Sequence, residues 1–314
     1  MTARRRVLLD CDPGHDDAMA ILLAAASPAI ELVGITTVAG NQTLDKTTLN
    51  ARRVCSVAGI TDVPIAAGCD RPLARETIVA ADIHGASGLD GVDWDEPIVP
   101  LDRRHGVDLM IEAASAGDRP LTIVAVGPLT NVATALRRSP AMAARVERIS
   151  IMGGAIGLGN VTPSAEFNIH FDPEAADEVF RAGIPITLVP LEVTHRALAT
   201  ESVVARIAAL DTPVARMSVA LMRFFADTYL RVFGFEAPAV HDPCAVAAVI
   251  DPVIVPARPM NVAVDTASSL SVGRTACDVY GRTGRKPNAD VGIGLDVDRF
   301  WDEMIGALAT YPHG

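Results

Sequence analysis

Short apolar runs alternate with helical patterns over the first two-thirds of the chain. Val7–Leu9, Leu32–Thr37, Leu121–Ala125, Ile149–Met152 and Ile186–Pro190 are β-rich and bounded by Gly, Pro, Asp or Asn, which predicts strands. Between them the apolar spacing predicts helices at Asp16–Ala26, Leu44–Ala58, Gly106–Ala116, Leu129–Leu136 and Pro173–Ala182. Such alternation predicts an α/β fold, Rossmann-like, with a mostly parallel central sheet flanked by helices. Ligands in these sheets bind beyond the carboxyl ends of the strands. That rule directs attention to Asp10–Asp17, Gly40–Gln42, Val126–Pro128, Gly153–Asn168 and Leu191–His195.

The last third reads differently. Glu201–Leu210 and Val214–Arg231 are consecutive helices, and His241-Asp242-Pro243 opens another that runs through Ile250. From Val255 onward the pattern predicts added strands and a closing helix, Arg299–Ala309. With no internal repeat and no low-complexity linker, residues 1–314 read as a single domain.

Composition narrows the function classes. Half the residues are apolar, enough for one large core, and the formal charge of −11 opposes a nucleic-acid partner because no basic patch offsets it. The longest apolar run, Ala18–Ala26, falls short of the roughly 18 residues that mark a membrane span. Arg4–Arg6 are followed only by Val7–Leu9 before Asp10, too short for a secretory core, so no signal peptide is read. Cysteines at 11, 55, 69, 244 and 277 form neither a C-x-x-C pair nor an even framework, which points to a reducing cytoplasm.

The chemistry concentrates in Asp10-Cys11-Asp12-Pro13-Gly14-His15-Asp16-Asp17, four carboxylates within eight residues. Helix capping accounts for Asp16 and Asp17. It leaves Asp10 and Asp12 at the end of a buried strand, where such groups need an internal partner. Hard oxygen donors without a Cys/His cluster suit calcium or magnesium, not zinc. An EF-hand would place Gly and Glu where His15 and Ile21 stand. A phosphatase-like D-x-D-x-T/V would place Thr or Val where Gly14 stands, and the first lysine is Lys46.

This octapeptide resembles the opening motif of the inosine-uridine-type nucleoside hydrolases. Gly40-Asn41-Gln42-Thr43, His84-Gly85, Gly127-Pro128-Leu129-Thr130-Asn131, Met152-Gly153-Gly154, Ala165-Glu166-Phe167-Asn168, Asp172–Ala176 and His241-Asp242-Pro243 resemble further blocks of that family, in its order. The resemblance spans essentially the whole chain. It implies hydrolysis of the N-glycosidic bond of ribonucleosides with calcium held by Asp12, Asp17, Asp242 and the main-chain carbonyl of Val126. Relatives often carry Thr at that last position, but either residue supplies a backbone oxygen.

The same resemblance implies that Asp10 supports the metal ligands and that Asp16 accepts a ribose hydroxyl proton. Asn41, Asn160, Glu166 and Asn168 would hydrogen-bond the sugar, with Met152 lining its pocket. Asp12 would be the general base toward the attacking water and His241 the acid that protonates the leaving base. His84 is the second base-side candidate. Glu166 and Asn168, two apart around Phe167, sit in a stretch of strand-like alternation. Tyr229 and Phe233 fit either a base pocket or the core.

Two other readings are weighed against this one. A nucleoside phosphorylase or ribosyltransferase needs a phosphate cradle, yet the chain has no G-x-x-x-x-G-K-S/T and the 153–160 loop has no nearby basic residue. A nucleoside- or ribose-binding protein without turnover would have lost the base or the metal ligands, and Asp12, Asp17, Asp242 and His241 are all present. Base preference is left open, with His241 disfavouring a purine-specific site. Family resemblance further implies a homo-oligomer, dimer or tetramer.

Overall fold

A computed structural model describes residues 4–313. Residues 1–3 and 314, the ends of the single-domain reading, lie outside the described residues. The strands are β1 (Arg5–Cys11), β2 (Ile30–Thr37), β3 (Ile65–Ala67), β4 (Leu121–Ala125), β5 (Val146–Met152), β6 (Ile186–Val189), β7 (Ala257–Met260), β8 (Val262–Val264), β9 (Thr275–Cys277) and β10 (Ala289–Gly292). The helices are α1 (His15–Ala26), α2 (Leu44–Ala58), α3 (Ala81–His84), α4 (Gly106–Ser115), α5 (Thr130–Arg138), α6 (Phe167–Phe171), α7 (Pro173–Arg181), α8 (Leu191–Thr194), α9 (Glu201–Ala208), α10 (Pro213–Phe233), α11 (Pro243–Ile250) and α12 (Val297–Leu308).

The main sheet runs β3-β2-β1-β4-β5-β6-β10-β7. It is parallel from β3 to β10, and β7 closes the edge antiparallel to β10. The expected α/β architecture is therefore observed, and its C-terminal strands extend the same sheet instead of forming a separate one. β8 and β9 pair apart from it as a two-stranded sheet.

Strand β1 shows why this sequence makes a central strand. Val7, Leu9 and Cys11 enter the core under α1, α2 and α10–α12, whereas Leu8 enters the opposite core under α4, α5 and α7. Both faces are covered, so the strand reads as a continuous apolar run. The chain leaves β1 toward β2 and β3, then returns to the other side of β1 as β4. The strand order thus reverses between β1 and β4, which opens a crevice at their carboxyl ends.

Sequence and structure part at two kinds of place. β3, α3, α6 and α8 span five residues or fewer, too few to show a period. The strand-like stretch at Glu166–Asn168 is also corrected: Phe167–Phe171 is helical, and the Glu166 side chain caps it by accepting from the amides of Asn168 and Ile169. One residue pair separated by two cannot tell a strand from a capped turn, because a cap also alternates polar and apolar positions.

Candidate active site

The crevice is deepest where β1 gives way to α1. Asp17, in the first turn of α1, accepts the amides of Asp12 at 3.0 Å and Gly14 at 2.9 Å, which fastens the turn back onto its own helix. Asp12 Oδ2 accepts the Asn41 amide at 2.7 Å, while its Oδ1 is buried with no hydrogen-bond partner. Main chain closes in on this carboxylate from both sides. A Cβ on Gly40 or Gly127 would lie 2.1 or 2.5 Å from an Asp12 oxygen.

Asp10 sits one layer deeper. Its Oδ1 accepts from Thr36 Oγ1 at 2.6 Å and Asn131 Nδ2 at 2.8 Å, and its Oδ2 has no partner. Asp16, Asp17 and Asp242 each bring a carboxylate oxygen into one group spanning no more than 4.8 Å. Asp242 arrives from the start of α11, and its neighbour His241 donates a main-chain N–H to Asp16 at 3.3 Å.

No Lys or Arg side chain pairs with any of these carboxylates among the described residues. Burial therefore dominates their protonation. It pushes the Asp16 carboxyl up to about 8 and Asp10 to about 7. Asp12 and Asp242 are driven well above the carboxylate range by burial together with the charges of their acidic neighbours, and burial raises Asp17 too. A divalent cation reverses this balance by favouring the ionised form. The unpartnered Asp12 Oδ1 and the clustered oxygens of Asp16, Asp17 and Asp242 form a donor set that fits a hard cation.

A cavity of about 370 Å³ opens above the carboxylates. Asp16, Asn41, His84, Val126, Met152, Asn160, Glu166, Asn168, His241 and Asp242 all line it. Asp12, Asp17 and Asp10 lie behind that wall. Asn168 Nδ2 donates to the carbonyls of Val126 at 2.9 Å and Met152 at 3.2 Å. Glu166 accepts the Gly154 amide at 2.8 Å, and burial pushes its carboxyl up to about 7. Asn160 Oδ1 accepts the Phe167 amide at 2.9 Å.

His241 is held at both ring nitrogens. Thr194 Oγ1 lies 2.7 Å from Nδ1, and the Tyr229 hydroxyl lies 2.5 Å from Nε2. Burial lowers the His241 pKa to about 3. Tyr229 is buried and also lines the cavity, so it belongs to the site as well as to the core. Sequence reasoning missed Thr194, His15, Asn131 and Phe225. Thr194 lay in the 191–195 segment that the strand-end rule had selected. His15 and Asn131 lay within the matched motifs, but Phe225 carried no signal beyond helical spacing.

Comparison with known proteins agrees with this geometry. Residues 7–302 match the family model described as inosine-uridine preferring nucleoside hydrolase. The pyrimidine-specific ribonucleoside hydrolase RihA of Shewanella sp. (strain MR-7) is 44% identical over 98% of this chain and 97% of its own. RihB of Shigella sonnei (strain Ss046), also named as pyrimidine-specific, is 44% identical over 98% of both chains. The solved purine-preferring ribonucleoside hydrolase from Gardnerella vaginalis superposes with a TM-score of 0.91 at 32% identity, over 97% of this chain and 98% of that one. With acidic turn, crevice and sequence match in agreement over nearly its full length, the chain belongs to the inosine-uridine preferring nucleoside hydrolases, enzymes that cut the N-glycosidic bond of ribonucleosides.

Proposed function

We infer that the chain is a calcium-dependent hydrolase of pyrimidine ribonucleosides such as uridine and cytidine, releasing ribose and the free base. The observation that carries this reading is the group of buried carboxylates at the β1/β4 crevice, lying without a basic partner beneath a wall of amide and carboxylate side chains. The pyrimidine preference rests on the names of the two relatives at 44% identity.

Asp12, Asp17, Asp242 and the Val126 carbonyl would hold the cation, with Asp16 beside them and Asp10 supporting Asp12 from behind. When bound, the ion supplies a Lewis acid that anchors the sugar hydroxyls and acidifies the attacking water. Asp12 takes the proton from that water. Asp16, Asn41, Asn160, Glu166 and Asn168 orient the ribose through its hydroxyls, and Met152 packs against it. Their carboxylate and amide oxygens favour the positive charge that develops on the sugar.

The leaving base needs a proton, and His241 delivers it through Tyr229. As Tyr229 gives its hydroxyl proton to the base, it takes one from His241 Nε2. Ionised carboxylates nearby favour the protonated imidazole that burial alone disfavours. All cysteines are free, which supports work in a reducing cytoplasm. Among the described residues no helix is long and apolar enough to cross a membrane. Assembly as a dimer or tetramer follows from the family alone.

A panel of uridine, cytidine, inosine and adenosine assayed for free ribose in phosphate-free buffer tests the reading. Ribose release from the pyrimidine nucleosides without phosphate is expected. Strict phosphate dependence would turn the reading toward a phosphorylase, and ribose binding without turnover toward a sensor.

A further inference from the structure

His84 is a cavity-lining histidine whose other side is fixed by protein. Its Nδ1 lies 3.1 Å from Nδ1 of His15, and His15 Nε2 lies 2.8 Å from the main-chain carbonyl of Asp90. The donor at each contact follows from what a carbonyl can do. Asp90 O only accepts, so His15 carries its proton on Nε2 and presents a bare Nδ1. Two bare nitrogens cannot face each other at 3.1 Å, so the proton between the rings sits on His84 Nδ1. The His15 amide N–H is also directed at that atom, at 3.4 Å, and the shorter ring-to-ring contact of 3.1 Å decides which group holds it.

The alternative, a doubly protonated His15, would bury a cation between aromatic rings. His15 is fully buried and stacks on Phe224 and Phe225 at 5.1 and 5.0 Å, where a charge would be stripped of its water. The pair has little room to rearrange. A Cβ on Gly14 would meet His84 Nδ1 at 2.5 Å, and Asp90 is pinned because its carboxylate accepts the amides of Ala86 and Ser87.

We propose that His15 is a positioning residue that locks His84 in the Nδ1–H form, so that the bare Nε2 of His84 faces the cavity and selects nucleobases presenting an edge N–H. Uracil offers such a donor at N3, and 3-methyluracil does not. The inference deepens the nucleoside-hydrolase reading and depends on it only for the identity of the ligand.

The direct test is NMR of the wild-type enzyme labelled with nitrogen-15 in its histidine rings, without substrate. His84 is expected to show a pyrrole-like Nδ1 and a pyridine-like Nε2. A proton on Nε2 would overturn the lock, whatever nucleosides the enzyme cleaves. The functional test compares kcat/KM for uridine and 3-methyluridine. Wild type is expected to prefer uridine by about tenfold, the worth of one hydrogen bond to a buried acceptor. His15→Phe keeps the stacking but removes the acceptor, and is expected to shrink that preference to about twofold. In His15→Asn the carboxamide oxygen stands near the lost Nδ1 and is expected to restore much of it. Equal preference in wild type and both variants would refute the selection role. The lock confirmed by NMR in a protein that cleaves no nucleoside would leave His15's role standing and remove the nucleoside reading instead.

Discussion

The two ends of the central sheet carry charge in opposite ways. At the amino end, Arg119 pairs with Glu31 and Arg148 with Asp290, every partner being about half-exposed. Such pairs contribute about 0–1 kcal/mol each and are screened by salt. At the carboxyl end, Asp10, Asp12, Asp16, Asp17 and Asp242 are buried with no basic partner. The first arrangement is what a solvated surface tolerates. The second is unfavourable for the folded chain alone and becomes favourable once a cation binds. Charge held at a cost to folding marks the site more clearly than the amount of charge.

Substitutions at the two ends should separate accordingly. Asp12→Asn keeps an acceptor for the Asn41 amide but removes the base and a metal oxygen. It is expected to lower kcat/KM for uridine about 10³-fold or more, and near-normal turnover would rule out the assigned role. His241→Ala is expected to slow uridine about 10²-fold yet barely affect a p-nitrophenyl riboside, whose leaving group needs no proton. Equal losses on both substrates would refute the acid role.

Stability should show the same contrast. Above about pH 7.5 the histidines of the stripped protein are largely neutral whether it is folded or unfolded, so between about pH 7.5 and 9 they contribute little to the pH dependence. Asp16 near 8 and Asp10 and Glu166 near 7 bind protons in the folded state that the unfolded chain has already released. With calcium stripped, thermal stability is therefore expected to fall as pH rises through this window, and with saturating calcium the fall should be abolished or reversed. A flat metal-free profile would contradict the burial of ionisable carboxylates. Asp242→Asn is expected to raise the Tm of stripped protein by about 3 °C while removing most of the calcium-induced rise. At the amino end, Arg148→Ala should change stability by less than about 1 kcal/mol and leave uridine hydrolysis intact.

Much of this contrast was legible in the sequence, for different reasons at different places. α2 is observed at the predicted residues because a long periodic segment carries its own signal, and β4 because a bounded, continuous apolar run marks a strand buried on both faces. The buried acidic turn was legible because capping explains only half of its carboxylates. The Phe167–Phe171 helix was not, since its single cap at Glu166 imitates strand alternation. Tyr229 was ambiguous because its spacing on α10 is that of a core residue, and only its hydroxyl contact with His241 reveals the second role. His15 was visible as a letter in the motif, but its partner His84 is 69 positions away. Pairing across such a separation comes from α10, which packs on both α1 and α3, and no local pattern encodes that.

Calcium titration calorimetry on chelator-stripped enzyme, with uridine hydrolysis followed in the same samples, tests the central claim most directly. One ion per chain should bind, activity should return in step with occupancy, and Asp17→Asn should weaken both. Full hydrolysis by protein that binds no divalent ion would contradict it.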